Sequence, residues 1–190
     1  DGVETQFGVN YLGHFQLITS LLDVVKKSAP ARIVIYAAIG NHTVDKIDYE
    51  YLLDKHKYMP YRSCAYSEVA NISFANQLAD ELKNTGVTVN SLSPGMASTG
   101  IIRHFPMQGL VNFISRHTCL TPLEGAATAI YLLLSSDVES VTGRYWAHEV
   151  IQEPNPNTLD RREQEKLRVF TENFIADIKS KQAASTPSSS

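Results

Sequence analysis

Long apolar runs, paired cysteines, a basic excess and a glycine-rich phosphate turn are all missing from this chain of 190 residues. No stretch approaches the ~20 apolar residues that a helix needs to cross a bilayer. The two cysteines, Cys64 and Cys119, are too few and too far apart for a disulfide framework or a metal site, so a reducing compartment is the default. A net charge of -3 and a pI near 6.1 leave no basic footprint, which argues against nucleic acid as a partner. No Gly-x-Gly-x-x-Gly cluster occurs anywhere. There is no signal-peptide pattern, but the chain begins at Asp1 rather than methionine, and a preceding segment is expected.

What is present is the composition of an ordinary globular domain: 43% hydrophobic and 19% charged residues. The length suits one domain with a real core. Val3, Phe7, Tyr11, Phe15, Ile18, Leu22 and Val25 recur at helical spacing over residues 3–27, and Ser28-Ala29-Pro30 stops that helix. Arg32–Ile39 (RIVIYAAI) is rich in β-branched residues and reads as a strand buried on both faces, as in a parallel sheet. A polar loop, 41–60, precedes a second helix expected over Cys64–Lys83, which ends at Asn84-Thr85-Gly86. VTVNSLSPG then gives a strand over Val87–Leu92 that enters a Pro-Gly loop, and a short helix is expected around Leu110–Ile114.

Thr121 caps a further helix with Pro122 at its first position. VTGRYWA reads as the last strand, EPNPN breaks the chain, and Leu159–Lys181 forms a charged amphipathic helix. Residues 1–181 are read as one domain and 182–190 as a disordered tail. Three strands alternating with helices define an α/β fold with a parallel sheet. Asn41-His-Thr43 and Asn71-Ile-Ser73 match the glycosylation sequon, a short pattern that arises easily by chance.

Four ordered segments resemble the second half of a short-chain dehydrogenase/reductase of the retinol-dehydrogenase-like branch: DGVETQFGVNYLGHFQL, RIVIYAAI, SEVANISFANQLADELKNTGVTVNSLSPG and TPLEGAATAIYLLLSSDVESVTGRYW. The resemblance implies the C-terminal portion of a Rossmann-type doubly wound sheet. It implies NAD or NADP as cofactor and hydride transfer between an alcohol and a carbonyl of a lipophilic, retinoid- or steroid-like substrate. It also implies a location in the cytoplasm, or on the cytoplasmic face of the endoplasmic reticulum where an N-terminal anchor is present. The family's phosphate turn and its Asn-Asn-Ala-Gly segment have no counterpart here, so cofactor binding by this chain alone is not expected.

The family reaction needs a tyrosine that moves the hydroxyl proton and a lysine one turn later that lowers its pKa and holds the nicotinamide ribose. A serine steadies the substrate oxygen, and an asparagine maintains a proton relay. Anchored on VANISF, the tyrosine position falls on Cys64, the lysine position on Glu68 and the serine position on Ala38, beside Ala37. The asparagine is retained as Asn10, and SPGMAST keeps Pro94, Gly95 and Thr99 where the family contacts the nicotinamide carboxamide. Tyr66 is no substitute, because it stands about 200° around the axis from Cys64 and its i+4 residue is Ala70.

A carboxylate raises the pKa of a neighbouring acid where a cation would lower it, so Glu68 moves Cys64 above its reference value of ~8.5. The expectation is a family member without the family's catalysis. The blander reading makes Cys64 a semi-buried packing residue, Glu68 a solvated or locally paired carboxylate, and Asn10 the stabiliser of a helix kink. A second reading is a binding or regulatory module that forms homo- or hetero-dimers through the helices over 3–27 and 64–83, which pack across dimer interfaces in the family. Without earlier strands, Arg32–Ile39 would be an exposed edge. Phe105, Met107, Leu110, Phe113 and Ile114 in the loop Thr99–Thr121 suit an apolar ligand, a membrane surface or ordinary packing.

Overall fold

A computed structural model describes residues 2–54, 56–96 and 119–185. The first expected helix is realised in three pieces. Helix α1 (Thr5–Phe7) is capped by the Glu4 carboxylate, which accepts from the Gln6 and Phe7 amides. A π-helical turn (Gly8–Leu12) leads into α2 (Gly13–Lys27). Strand β1 (Ala31–Tyr36) stops short of Ile39, because Ala38 is extended and the chain then tightens into a 3-10 turn, Ile39–Thr43. The polar loop holds a helix the sequence reading did not mark, α3 (Tyr49–Leu53), with Asp48 accepting from the Tyr51 amide at its N-terminus.

Helix α4 (Pro60–Glu81) starts one turn ahead of Cys64, with Pro60 in the first turn, where its missing N–H costs nothing. Strand β2 (Val87–Ser93) and helix α5 (Pro122–Leu134) follow, and Thr121 and Glu124 close a reciprocal capping box on α5. VTGRYWA contributes only β3 (Tyr145–Ala147), while β4 (Val150–Gln152) is a strand the sequence reading missed. The β3–β4 hairpin turns on His148 and Glu149, both at positive φ. Such turns are signalled by Gly, Asn or Asp, and this one carries none of them. The terminal helix, α6 (Arg161–Ser185), runs past Lys181 into the segment read as tail.

The sheet order is β1-β2-β3-β4, with β1–β2 and β2–β3 parallel and β3–β4 antiparallel. Side chains alternate across it. Ile35, Val87 and Val89 join the larger core with α1, α2, α4 and α6, whereas Leu92 joins Ala129, Leu132, Val138 and Trp146 beneath α5. Among the described residues β1 is the sheet edge, and only Ile35 of its six residues is fully buried. Both faces are nonetheless packed, Ile33 and Ile35 into the larger core and Val34 into the smaller one, and the remaining exposure lies along the edge.

Helix α6 lies over α4. Leu167, Phe170, Phe174 and Ile175 pack into the cluster of Phe7, Tyr11, Phe15, Phe74 and Leu78. Tyr11 and Thr171 share a hydrogen bond of 3.0 Å, and Arg168 pairs with Glu81. Fourteen of the twenty-two α4 residues are buried within the chain itself. Among the described residues no helix is long and apolar enough to cross a membrane.

Candidate functional site

The inherited site positions gather where the N-terminal half of α4 meets the end of β1 and the π-helical turn. Residues 64, 67/68 and 71 of α4 recur on one helical face. Asn71 is the tie at its base: its Nδ2 donates to the Asn10 carbonyl (3.0 Å) and to the Tyr36 carbonyl at the end of β1 (3.1 Å). One turn earlier, Asn10 Nδ2 donates to Ser67 Oγ (3.2 Å), which itself donates to the Cys64 carbonyl (2.7 Å). The His14 ring nitrogen also meets the Asn10 carbonyl, at 2.7 Å. Asn10 therefore joins the π-helical turn to α4 twice, through its side-chain amide to Ser67 and through its backbone carbonyl from Asn71.

The Cys64 thiol donates to Glu68 Oε1 at 3.2 Å. Glu68 is only 8% exposed. Of the two readings, solvated or locally paired, the structure corrects the first and agrees with the second through the bond from Cys64. Its Oε2 has no hydrogen-bond partner among the described residues and lies against Gly40, where an added Cβ would sit 2.5 Å from it. Any larger residue at position 40 would thus have to displace the Glu68 carboxyl. Burial raises the Glu68 pKa, offset in part by the bond from Cys64. Burial pushes the Cys64 thiol up to about 12, with the Glu68 charge adding to the shift. Among the described residues no cation bonds either group, so nothing there draws the proton off sulfur in the neutral range.

Tyr145 completes this wall. Burial raises its pKa, opposed by a bond to Ser93 and reinforced by the Glu68 charge, and its hydroxyl accepts from Asn41 Nδ2 at 3.3 Å. Asn41 is wholly buried and accepts at Oδ1 from the Asn155 amide (2.9 Å). Asn155 Nδ2 donates to the carbonyls of Asn41, Val44 and Asp45. The EPNPN segment therefore pins the turn that carries Ala38 and Gly40. Both sequon asparagines are buried, Asn41 at 0% and Asn71 at 3%, and in the folded chain neither amide faces solvent.

Ala38 sits at the N-terminus of the 3-10 turn, where its carbonyl accepts from Asn41 Nδ2 (2.7 Å) and its methyl group offers no hydroxyl. Tyr66 is 1% exposed, on another face of α4, with its hydroxyl bonded to Arg62 Nε, so it lies outside this cluster. Pro94 and Gly95 follow β2, and Gly95 has φ +72° with Leu120 and His148 packed where a Cβ would stand. The Leu120 amide donates to the Met96 carbonyl (2.8 Å) and ties the two ends of the intervening segment. Thr99, and the loop residues Phe105, Met107, Leu110, Phe113 and Ile114, lie outside the described residues.

The structure thus brings Asn10, Cys64, Glu68 and the Ala38 turn together. It adds Gly40, Ser67, Asn71, Asn41, Tyr145 and Asn155, which sequence reasoning did not mark as site residues. Only Gly40, a glycine directly after an apolar strand, carried a sequence signal. Among the described residues no group of three or more His, Cys, Asp or Glu side chains could hold a metal ion.

Solved structures share this fold. A short-chain dehydrogenase from Salmonella enterica serovar Typhi superposes with a TM-score of 0.57 at 20% identity, over 76% of this chain and 51% of that one. A 4-hydroxyisoleucine dehydrogenase mutant complexed with NADH and succinate gives 0.55 at 22% identity, over 74% and 54%. The fold is that of the short-chain dehydrogenases. No family model matches the chain. It is, however, 40% identical to retinol dehydrogenase 14 of Mus musculus over 183 residues, 94% of this chain and 54% of that protein. The chain belongs to the short-chain dehydrogenase/reductase family of oxidoreductases, on its retinol-dehydrogenase-like branch. It spans about half the length of the curated relatives it matches.

Proposed function

We propose that this member of an oxidoreductase family does not catalyse the family's NAD(P)-linked alcohol/carbonyl transfer. The observation that carries the reading is the Cys64–Glu68 pair: a thiol donating at 3.2 Å to a buried carboxyl whose other oxygen has no partner among the described residues. General acid–base work near neutrality needs a group that exchanges its proton there, and a thiol pushed to about 12 does not. At position 68 the family reaction needs a cation facing the nicotinamide ribose, and a carboxyl does not fit NAD or NADP in that manner. Pro94 and Gly95 supply a turn but no charge. Substrate polarisation loses its hydroxyl at Ala38.

The test is turnover of all-trans-retinal with NADPH by the full-length natural protein, beside the combined variant Cys64→Tyr, Glu68→Lys, Ala38→Ser. Background turnover that rises only in the triple variant supports the reading. Turnover by the unaltered protein overturns it.

A second reading, a non-catalytic module that engages a relative, is favoured by one observation. Leu17, Leu21 and Val24 form a stripe on α2 and are 57%, 47% and 61% exposed. Helix α4 is covered by α6, so α2 is the retained helix with a free apolar face. Leu17→Glu should abolish any self-association, and a chain that sediments as a monomer at high concentration and binds no relative removes this reading.

A further inference from the structure

A recess where the end of α4, the entry to β3 and the start of α6 meet takes no part in either reading of the site. It measures about 320 Å³, and its wall carries Lys83, Arg144 and Arg161 against a single carboxylate, Asp80. Cations spread over an open face are ordinary solvated groups, but these three border one concave volume. Asp80 pairs with two of them, Lys83 at 2.7 Å and Arg161 at 3.2 Å. Arg144 is exposed, and among the described residues its guanidinium has no ion pair. Three positive charges against one negative leave the recess with a net charge of +2.

The frame beneath these cations is fixed from inside the fold. The Gly143 amide donates to the Val89 carbonyl (2.7 Å), and the Arg144 amide donates to Oδ1 of the buried Asn90 (3.1 Å). Asn90 Nδ2 in turn donates to the Val141 carbonyl (2.7 Å), so the backbone that presents Arg144 is locked. Across the recess Gln164, 8% exposed, is held by its Nε2 bond to the Thr158 carbonyl (2.7 Å) and gives the wall a buried polar group. The Asp80 pairs are largely exposed and therefore weak, and they leave Lys83 and Arg161 with N–H groups for a second anion. The recess is also separate from the inherited site. Asn76, the first α4 residue in its wall, stands twelve residues past Cys64, ~18 Å along the helix.

We propose that this recess binds the phosphate group of a small molecule, with the Arg144 guanidinium donating to it and Lys83 and Arg161 closing on its remaining oxygens. A phosphate monoester carries a charge of about -1.5 to -2 at pH 7 and three strong acceptor oxygens, which match the surplus charge and the three cationic donors. The planar fork of arginine suits two of those oxygens at once. A lone carboxylate brings one charge and two oxygens and leaves a cation unanswered. The volume lies at the small end of the ~300–1,000 Å³ of ligand sites, enough for the phosphate and a small organic body. Leu159, half exposed in the same wall, offers that body an apolar contact. The binding is independent of whether the Cys64–Glu68 wall supports turnover.

The test is calorimetric titration of the full-length natural protein with inorganic phosphate, phenyl phosphate and acetate, in chloride of matched ionic strength. Phosphate stabilises folded chains generally by exclusion from their surface, so the heat of binding is the readout and a melting shift is not. Saturable one-site binding of a phosphate, without binding of acetate, is the expected result. Tighter binding of phenyl phosphate marks an ester as the ligand, and equal or tighter binding of inorganic phosphate marks the free ion; either supports the site. Arg144→Gln and Lys83→Gln should each weaken binding about tenfold or more, the worth of one hydrogen bond to a charged group. Both side chains are solvent-facing, and the fluorescence of Trp146, the single tryptophan, reports that the fold is kept. Three results overturn the proposal: no saturable binding of either phosphate, acetate binding as tight as phosphate, or undiminished binding by a folded variant, which would mean an adventitious ion only.

Discussion

Replacing Glu68 by glutamine should stabilise the protein, and more so as pH rises. Glu68 is 8% exposed, accepts one bond from Cys64, and leaves Oε2 without a partner. Burial raises its pKa from an ordinary value of 4.5. Below that value both the folded and the unfolded chain hold the proton, and the glutamine variant should match the parent. As pH rises the unfolded chain ionises first, while the folded chain must keep the proton or bury a charge. Stability contributed by Glu68 is therefore lost as pH rises through its folded pKa. The glutamine amide leaves that position just as unpartnered but never ionises, and each pKa unit by which the folded carboxyl is raised is worth about 1.4 kcal/mol, so the variant should gain on the order of 1–3 kcal/mol at pH 8. For a chain of this size that is a melting-temperature gap of about 2–12 °C. Urea unfolding followed by Trp146 fluorescence at pH 4 and pH 8 measures it. A gap that does not grow with pH, or a parent more stable than the variant at pH 8, would refute the reasoning.

Two further outcomes follow from the same geometry. In a Cys119→Ser background, Cys64 should react with iodoacetamide at neutral pH far more slowly than a free thiol, because burial and the Glu68 charge push it to about 12; the rate should climb steeply only at strongly alkaline pH, and rapid labelling at pH 7 would contradict the buried pair. Asn155→Ala removes three donated bonds and leaves the buried Asn41 carbonyl among the unpaired acceptors, so unfolding in urea should show a loss of about 2–4 kcal/mol.

Much of the fold was legible because its signals are local. The cap and proline at Thr121-Pro122, the β-branched run at 32–36 and the glycine stop at Gly86 each act within a few residues. The misses were set by partners distant in sequence. Strand β4 exists because β3 offers it a pairing edge, and its turn residues, His148 and Glu149, carry none of the usual chemistry. Asn10, Cys64 and Glu68 were found by their place in a motif, and the i, i+4 spacing put the latter two on one face. The burial of Glu68 was not legible. It depends on Gly40 packing against the carboxyl and on the Asn41–Asn155 lock that holds that turn, a contact across more than a hundred residues. The role of α6 escaped for the same reason, since an amphipathic pattern shows that a helix docks but not on what.

The bond from the Leu120 amide to the Met96 carbonyl has an evolutionary corollary. Met96 follows β2 and Leu120 precedes α5, so the bond fixes the spacing of those two elements at the point where they meet. It joins backbone to backbone, so a change of side chain at either residue leaves it in place, and the joint should outlast sequence drift. The Cys64–Glu68 wall is the opposite kind of feature, one written entirely in side chains.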